Sequence, residues 1–152
     1  MNNGESVPRE FPPVPLVGVG ALIVEESKII MVKRGRPPSV GQWSIPGGLV
    51  QVGESLKDAV VREVYEETSL LVEAGELVEL LERIFPHDDG RIRYHYVLAD
   101  YLCRVKDGLP VAGSDVLEAG WYCRDKLPSL NVAPITMRVI DKAFDAAMKS
   151  SP

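Results

Sequence analysis

The chain has 152 residues, of which 45% are hydrophobic and 26% are charged, and its formal net charge is −5. This length and composition predict a single globular domain with a hydrophobic core and argue against a disordered chain. The negative charge argues against broad binding of nucleic acid, which normally needs a basic surface. A small anionic substrate stays compatible with this charge if cations are recruited locally.

No stretch of the chain reaches the roughly 18 apolar residues that a membrane span needs. The N-terminus has no apolar region of the kind that marks a secretory signal. We therefore expect a cytoplasmic protein without a membrane partner. The two cysteines, Cys103 and Cys123, make neither a disulfide framework nor a zinc motif, so we expect buried free thiols.

The chain begins with a polar, proline-rich segment over residues 1–13, which predicts a flexible N-terminal arm before a single domain over residues 14–152. Two short runs rich in Val and Ile then flank Glu25–Ser27 and predict a strand, a turn and a strand. The Gly and Pro residues of "GRPPSVGQ" predict a loop, and "WSIP" predicts a short extended segment.

A helix is predicted from Ser55 to Thr68, because this segment has no Gly or Pro and its apolar residues recur at helical spacing. Ser55 is suited to the N-cap position. A second helix is predicted from Pro134 to Met148, with proline in its first turn and one apolar face.

Strands are predicted downstream of the first helix over residues 78–85, in "RIRYHYVLADYLCRV" and in "AGWYC", with "HDDG" as a turn and "KDGLPVAGSD" as a loop. Strands before, between and after two helices predict an α/β (α+β) architecture, in which helices pack on a mixed β-sheet.

Three glutamates, Glu63, Glu66 and Glu67, lie at positions i, i+3 and i+4 of the first predicted helix and point to one side of it. Like charges at this spacing destabilise a helix, so a positive partner is expected. Carboxylate oxygens at the edge of a packed face are the ligands that Mg²⁺ prefers. These three glutamates, called the acidic stripe below, therefore indicate a divalent-metal site. The alternative is a solvated acidic surface.

The segment before this helix supplies backbone freedom and a cation. Gly47 and Gly48 permit backbone geometries closed to other residues, so that a carbonyl can turn toward a metal and a substrate can approach closely. Gly53 lets the chain turn sharply into the helix. Arg62 could pair with Glu54 and hold the loop against the helix, or it could orient a catalytic carboxylate.

The spacing of these residues resembles the Nudix box, whose pattern is G-x5-E-x7-R-E-U-x-E-E-x-G-U, where U is a bulky aliphatic residue. Every charged position is present, and Ser69 is the one departure, since the family usually has glycine there. The segments "GQWSIPGG" and "EAGWY" also resemble the family, so the resemblance covers nearly the whole chain. The matching residues are Gly48, Glu54, Arg62, Glu63, Val64, Glu66, Glu67 and Leu70.

The resemblance to the Nudix hydrolase family implies a mixed sheet sandwiched between α-helices. It implies hydrolysis of a nucleoside diphosphate linked to another moiety, with Mg²⁺ as cofactor and Mn²⁺ as a possible substitute. Carried over by position, the metal ligands are the carbonyl of Gly47 and the carboxylates of Glu63, Glu66 and Glu67. Either Glu63 or an acid of a downstream loop would then serve as the general base.

Residues outside the box supply further candidates. Glu118 is the preferred downstream acid, and Asp115 is the second choice. Either could act as the general base or as a metal ligand, and the alternative is a solvated turn residue. Arg34 and Arg36 follow a strand, and they could contact the substrate phosphates or be plain loop arginines. The residues interpreted as structural are Trp43, His87 and His95.

The substrate is predicted from one position beyond the box. Pro86 lies 16 residues after Leu70, which ends the box, and a proline at about that distance resembles the ADP-ribose pyrophosphatase branch. A plain turn proline is the alternative. We expect ADP-ribose first, with a nucleoside triphosphate pyrophosphatase and a non-catalytic nucleotide sensor as alternatives. The partner expected is a small nucleotide, and the arm and the long strand are compatible with a homodimer.

Overall fold

The computed structural model describes residues 7–113 and 115–150. Residues 1–6 of the predicted arm, Ser114 of a predicted loop and residues 151–152 of the predicted domain lie outside the described residues. Within them, no helix combines the length and the apolar character needed to cross a membrane. The elements are β1 (Leu16–Glu25), β2 (Lys28–Arg34), β3 (Trp43–Ser44), β4 (Gly47–Leu49), α1 (Leu56–Thr68), β5 (Leu71–Pro86), β6 (Ile92–Asp107), β7 (Val116–Cys123), a 3₁₀ helix (Arg124–Ser129) and α2 (Pro134–Ser150).

Strand β1 organises the sheet because several strands pair with it. It runs parallel to β6 from Leu16 to Ile23, and it runs antiparallel to β4 along Gly18–Gly20 and to β2 near its end. Strands β5 and β6 form a long antiparallel hairpin, and β7 pairs with β2. The strand order is β3-β2-β1-β6-β5, with β4 and β7 off this path. The predicted α+β architecture with a mixed sheet is therefore confirmed.

The two helices pack on opposite faces of β1. Successive side chains of a strand alternate between its faces, so Ala21 and Ile23 join one hydrophobic cluster and Leu22 joins another. Helix α1 contributes Ala59, Val60 and Val64 to the first cluster, and α2 contributes Val139, Ile140, Ala143 and Phe144 to the second. The sheet is thus sandwiched between helices, as the resemblance to the Nudix family implies.

Helix α1 begins and ends at the residues that its sequence indicates. The Oγ of Ser55 accepts a hydrogen bond from the amide of Asp58 at 3.1 Å and caps the N-terminus. Ser69 follows the last turn with a φ of 64°, a left-handed conformation that favours glycine. Its amide donates to the carbonyl of Tyr65 at 2.9 Å. Serine therefore adopts the backbone geometry expected of the glycine that it replaces.

Some boundaries differ from those predicted. Strand β5 begins at Leu71 rather than at residue 78, because residues 71–74 pair with the far end of β6. The segment Gly47–Leu49 forms the short strand β4 along β1. The 3₁₀ helix Arg124–Ser129 was not predicted, since it buries only Leu127 and therefore has no apolar periodicity.

Part of the predicted arm contacts the β5–β6 hairpin. Residues 7–13 form neither strand nor helix. The amide of Phe11 nevertheless donates to the carbonyl of Arg93 at 2.7 Å, and the guanidinium carbon of Arg91 lies 3.9 Å from the centroid of the Phe11 ring. These contacts hold the described part of the segment, while the division into an arm and a domain at residue 14 stays a prediction.

The residues interpreted as structural make packing contacts. Trp43 is buried in the cluster beneath α2. His87 packs edge-on against Phe11, with ring centroids 5.2 Å apart. Both cysteines are free thiols as expected, but only Cys103 is buried, whereas Cys123 is partly exposed at the end of β7.

Candidate functional site

A cavity of about 460 Å³ opens beside β4, where the loop after β2, helix α1 and the first turns of α2 approach the sheet. It brings together acidic side chains from α1, glycine backbone from β4 and basic side chains from β2, β5 and the loop after β2. The predicted site residues that line it are Arg34, Arg36, Gly47, Gly48, Arg62, Glu63, Glu66, Glu67 and Asp115.

Arg62 joins the acidic side of α1 to the preceding loop. Its Nε and Nη2 bind the two carboxylate oxygens of Glu54 at 2.7 and 2.9 Å. Nη2 also donates to the carbonyl of Leu49 at 3.0 Å, and Nη1 donates to Glu63 at 2.7 Å and to Glu66 at 3.3 Å. The hydrogen bonds from Arg62 lower the pKa of Glu54 to about 2. Arg62 therefore both holds the loop and orients a carboxylate of the stripe.

Glu67 is the most enclosed carboxylate of the stripe. It is 8% exposed, and its Oε1 accepts a hydrogen bond from the amide of Gly47 at 3.2 Å. Burial raises the pKa of Glu67 to about 8, and the negative charge of Glu63 acts in the same direction. Burial also raises the pKa of Glu63, although Arg62 opposes this effect. Two desolvated carboxylates side by side favour a positively charged ligand.

Neighbouring atoms leave no space for a side chain at either glycine of β4. A β-carbon at Gly47 would overlap the carbonyl oxygen of Val19 on β1, and one at Gly48 would overlap the carboxylate of Glu63. A larger residue at either position would move β4 away from β1 or displace Glu63. The two glycines therefore allow the backbone of β4 to lie directly against the acidic side of α1.

The donor chemistry of the stripe suits a hard divalent cation, because the carboxylates of Glu63, Glu66 and Glu67 line the cavity together with the glycine backbone of β4. In their present conformations, however, no three His, Cys, Asp or Glu side chains among residues 7–113 and 115–150 are arranged to hold a metal ion. Arg62 binds two of the three carboxylates. Metal binding would therefore require Glu63 and Glu66 to exchange part of their contact with Arg62 for the cation.

Arginines bring positive charge to the same cavity. Arg34 on β2 donates to a backbone carbonyl through its Nε, and the guanidinium carbon of Arg83 on β5 lies 5.0 Å from the centroid of the Phe85 ring. Among the described residues, neither arginine pairs with a carboxylate. Arg36, in contrast, binds Asp115 at 2.6 Å. Arg34 and Arg83 are thus available to bind an anion, although the negative charge of Glu67 acts on Arg34.

Of the two downstream acids, only Asp115 is among the described residues that line the cavity. Glu118 lies on β7 opposite Lys33, its Oε2 is 3.5 Å from the Nζ of that lysine, and more than half of its side chain is exposed. Asp115 lies just before the first residue of β7, whereas Glu118 lies within that strand, where the pairing with β2 is irregular. The geometry therefore does not bring Glu118 to the acidic stripe.

Pro86 is also outside the described lining of the cavity, although Phe85 before it contributes. It ends β5 and pairs with Ile92 across the hairpin. Gly53 has a φ of 83°, which fits its predicted role in the turn into α1. Neither His87 nor His95 is among the described lining residues.

Sequence reasoning missed several lining residues, among them Arg9, Arg83 and Asp100. The sequence pattern could have indicated Arg83, because this charged residue lies between the apolar residues Leu81 and Phe85, which share its side of the strand. Asp100 interrupts an apolar run in the same way. No pattern indicates a role for Arg9, since it lies in a polar segment that predicts a flexible N-terminal arm.

Comparison with known proteins agrees with this site. The NUDIX domain model matches residues 14–144. An ADP-ribose pyrophosphatase of Methanocaldococcus jannaschii is 34% identical over 116 residues, which make up 76% of this chain and 66% of that protein. An 8-oxo-dGDP phosphatase of Mus musculus is 31% identical over 117 residues, or 74% of this chain and 33% of that protein. The chain thus spans no more than about two thirds of the length of either relative.

A solved structure agrees over a larger share of its own length. The crystal structure of a MutT NUDIX hydrolase from Burkholderia pseudomallei superimposes with a TM-score of 0.73 at 30% sequence identity. The match covers 85% of this chain and 98% of that one. The likeness therefore extends over most of this chain and is not confined to the box.

Proposed function

The chain belongs to the Nudix hydrolase family, and from that premise we propose that it hydrolyses the diphosphate linkage of a nucleoside diphosphate derivative. The first substrate proposed is ADP-ribose, with AMP and ribose 5-phosphate as products. The observation that carries the proposal is the cavity in which the carboxylates of α1 meet arginines without carboxylate partners. The printed name of the Methanocaldococcus relative supports the choice of ADP-ribose.

Nudix hydrolases generally use divalent metal ions, and the ion proposed here is Mg²⁺, with Mn²⁺ as a substitute. The carbonyl of Gly47 and the carboxylates of Glu63, Glu66 and Glu67 would hold it. When bound, such an ion neutralises charge on the diphosphate and lowers the pKa of a water molecule. The raised pKa of Glu67 supports this role, since a nearby cation would favour its ionised form.

Glu63 is the proposed general base, and Arg62 is the residue that positions it. A carboxylate that accepts a proton from the attacking water must be held in reach of it, and the 2.7 Å bond from Nη1 of Arg62 restrains Glu63. The downstream alternative for the base is Asp115 rather than Glu118, because Asp115 lines the cavity and Glu118 does not.

The arginines are the proposed phosphate ligands. Arg34 and Arg83 have no carboxylate partner among the residues that the structure describes. Both are half-buried in the wall of the cavity, where a phosphate would satisfy their donors. Arg36 would join them only if a substrate phosphate displaced its ion pair with Asp115. The backbone of Gly48 would allow the diphosphate to approach the strand closely.

A second candidate function is the removal of oxidised or surplus nucleotides from the nucleotide pool by a pyrophosphatase. The printed name of the Mus musculus relative, an 8-oxo-dGDP phosphatase, favours it. A non-catalytic nucleotide sensor is a candidate of another class, and the complete set of box carboxylates speaks against it. The cytoplasmic location and the homodimer expected from the sequence stay predictions.

The experiment that tests the proposal measures Mg²⁺-dependent product release from ADP-ribose, NADH, diadenosine polyphosphates, a nucleotide sugar, and common and oxidised nucleoside triphosphates and diphosphates. We expect AMP from ADP-ribose at the highest rate, and no product with EDTA. A higher rate with 8-oxo-dGDP or a triphosphate would keep the reaction and replace the substrate. No turnover of any compound, together with metal-dependent nucleotide binding, would favour the sensor instead.

Metal binding can be tested apart from turnover. Millimolar Mg²⁺ should raise the melting temperature, because a ligand that binds only the native state stabilises it. The shift should shrink in Glu66→Gln and persist in Glu73→Gln, which alters an exposed glutamate of β5. An equal shift in all three proteins would place the bound metal elsewhere.

A further inference from the structure

Asp100 is a buried acid of β6 that lines the cavity without a partner in the protein. It is 5% exposed, and it makes no hydrogen bond or ion pair within the described residues. In this part of the chain, every fully buried side-chain oxygen has a hydrogen-bond partner. The carboxylate oxygens of Asp100 must therefore keep some access to the cavity. A free acceptor at this depth calls for a ligand that donates.

The backbone makes room for this carboxylate. Gly20 lies beside Asp100 in the parallel pairing of β1 with β6. A β-carbon at Gly20 would overlap Oδ1 of Asp100 and would lie 2.8 Å from the δ1 methyl of Ile45. The absence of a side chain at this position leaves the carboxylate open toward the space between β1 and α2.

No basic side chain in the described part of the chain forms an ion pair with Asp100. Burial raises the pKa of its carboxyl to about 7, and the negative charge of Glu79 on the adjacent β5 acts in the same direction. Lys142 of α2 is bound to Glu79. A desolvated acid without donors destabilises a fold. Packing alone therefore gives no reason for an acid here.

The surroundings of Asp100 suit a flat ring with a polar edge. Ile45, Leu81 and Val139 line the same cavity, so an aromatic ring could pack on them while its edge meets the carboxylate. A phosphate would be repelled by Asp100 and attracted by Arg34. The two ends of a nucleotide therefore match two different parts of the cavity.

The sheet register gives the separation of these parts. Gly47 of β4, Gly20 of β1 and Asp100 of β6 lie side by side on neighbouring strands. Two strand spacings place the backbone of Asp100 about 10 Å from that of Gly47. This separation is comparable to that between the phosphates of a nucleotide and the far edge of its base.

We propose, resting on the proposed function, that Asp100 is a specificity-determining residue that accepts hydrogen bonds from the N–H groups of the substrate's purine base. Guanine presents a ring N–H and an amino group on one edge, and adenine presents one amino group. The shared chemistry is an N–H donor edge, and the two purines are separate arms of the test.

The test measures the binding of GMP, AMP and ribose 5-phosphate by calorimetry. None of them contains a diphosphate linkage, so the result does not depend on the proposed hydrolysis. The variant is Asp100→Asn, and the matched control is Asp107→Asn, an exposed acid at the end of the same strand. If the wild type hydrolyses no compound of the activity panel but binds a purine through Asp100, the proposed hydrolysis is wrong and the proposed base recognition stands.

We expect Asp100→Asn to weaken GMP or AMP binding by roughly tenfold to a hundredfold, the range for a hydrogen bond to a charged group. Ribose 5-phosphate binding should not change, and the melting temperature should stay equal or rise. The purine that loses more affinity is the base that Asp100 recognises. With a hydrolysed substrate, the variant should raise KM more than it lowers kcat.

Other outcomes would overturn the proposal. Unchanged affinity for both purines in Asp100→Asn would remove Asp100 from base recognition, as would equal losses for ribose 5-phosphate. A lower melting temperature with weaker binding of all three compounds would make Asp100 a structural residue. The same holds if Asp107→Asn weakens purine binding as much, or if the wild type binds neither GMP nor AMP.

Discussion

Two groups of acids near the cavity differ in how their charge is compensated. Glu54, Glu63 and Glu66 share one cation, Arg62, through bonds of 2.7 to 3.3 Å. Glu67 and Asp100 are more deeply buried, at 8% and 5% exposure, and no basic side chain pairs with either of them in the described part of the chain. The first group is paired with a cation of the protein, and the second is not.

This difference separates stability from function. Arg62 with Glu54, Glu63 and Glu66, called the Arg62 cluster, holds the loop before α1 against the helix and contributes favourable charge-assisted hydrogen bonds. A desolvated carboxylate without a cation lowers the free energy of unfolding instead. The residues that weaken the fold are therefore those for which a ligand is most needed, a metal at Glu67 and a base at Asp100.

The largest effect that tests this comparison is expected from Glu67→Gln. The variant should lose hydrolysis by roughly a hundredfold or more, as for other residues that contact the reacting groups. Its fold should persist and its melting temperature should not fall, because the substitution removes a buried charge. Rate measurements with ADP-ribose and thermal unfolding check the two parts.

Wild-type rates in Glu67→Gln would contradict the proposed metal site. Glu73→Gln is the matched control, since Glu73 is an exposed glutamate that pairs with Arg104 on the surface. Its rate should equal that of the wild type.

The second effect concerns the pH dependence of stability. The pKa of Asp100 is raised from its ordinary 3.8 to about 7 in the folded protein, so the folded state binds a proton more tightly than the unfolded chain. Stability contributed by the protonated acid is present below pH 4 and is lost as pH rises to 7. Asp100→Asn should escape this loss, which is on the order of 4 kcal/mol.

Denaturant unfolding of both proteins between pH 4 and pH 8 gives the measurement. The stability difference between variant and wild type should grow with pH and level off above pH 7. Glu79, whose negative charge acts on Asp100 from β5, and its partner Lys142 are the same in both proteins, so their titration cancels. A constant difference over this range would mean that Asp100 is ionised throughout.

A smaller effect is expected in the compensated group. Arg62→Lys keeps the charge but loses the two-pronged contact with Glu54, so it should lower the free energy of unfolding by about 1–2 kcal/mol. Arg104→Lys, at an exposed pair with Glu73, should change it by ~0.5 kcal/mol or less. Equal losses in the two variants would show that the Arg62 cluster is no stronger than a surface pair.

Local spacing predicted the first group of acids and Glu67 of the second, but not Asp100. The box residues from Gly48 to Leu70 lie within one loop and one helix, so their arrangement follows from helix geometry and from the caps at Ser55 and Ser69. The order of helices and strands was predictable for the same reason. The extension of β5 back to Leu71 depends on its pairing with β6, so no local sequence pattern predicted it.

Long-range pairing also decided the outer residues of the cavity. Sequence reasoning favoured Glu118 over Asp115 as the downstream acid. In the fold, the pairing of β7 with β2 places Glu118 beside Lys33, whereas Asp115, just before β7, lines the cavity and binds Arg36. Asp100 becomes unusual only when β1 brings Gly20 alongside it. The metal-binding pattern could therefore be predicted from the sequence, whereas the residues that would select a substrate needed the fold.

The smallest effect belongs to Ser69, the one departure from the box. Its left-handed backbone, with a φ of 64°, strains a residue with a β-carbon. Ser69→Gly should therefore raise the free energy of unfolding by about 0.5–1 kcal/mol, once the greater freedom of glycine in the unfolded chain is deducted. Ser69→Ala keeps the strain and should give no gain. Equal stabilisation by both would implicate the hydroxyl rather than the backbone. Hydrolysis should be unchanged in either variant, because a gain in stability at the end of α1 leaves the uncompensated acids as they were.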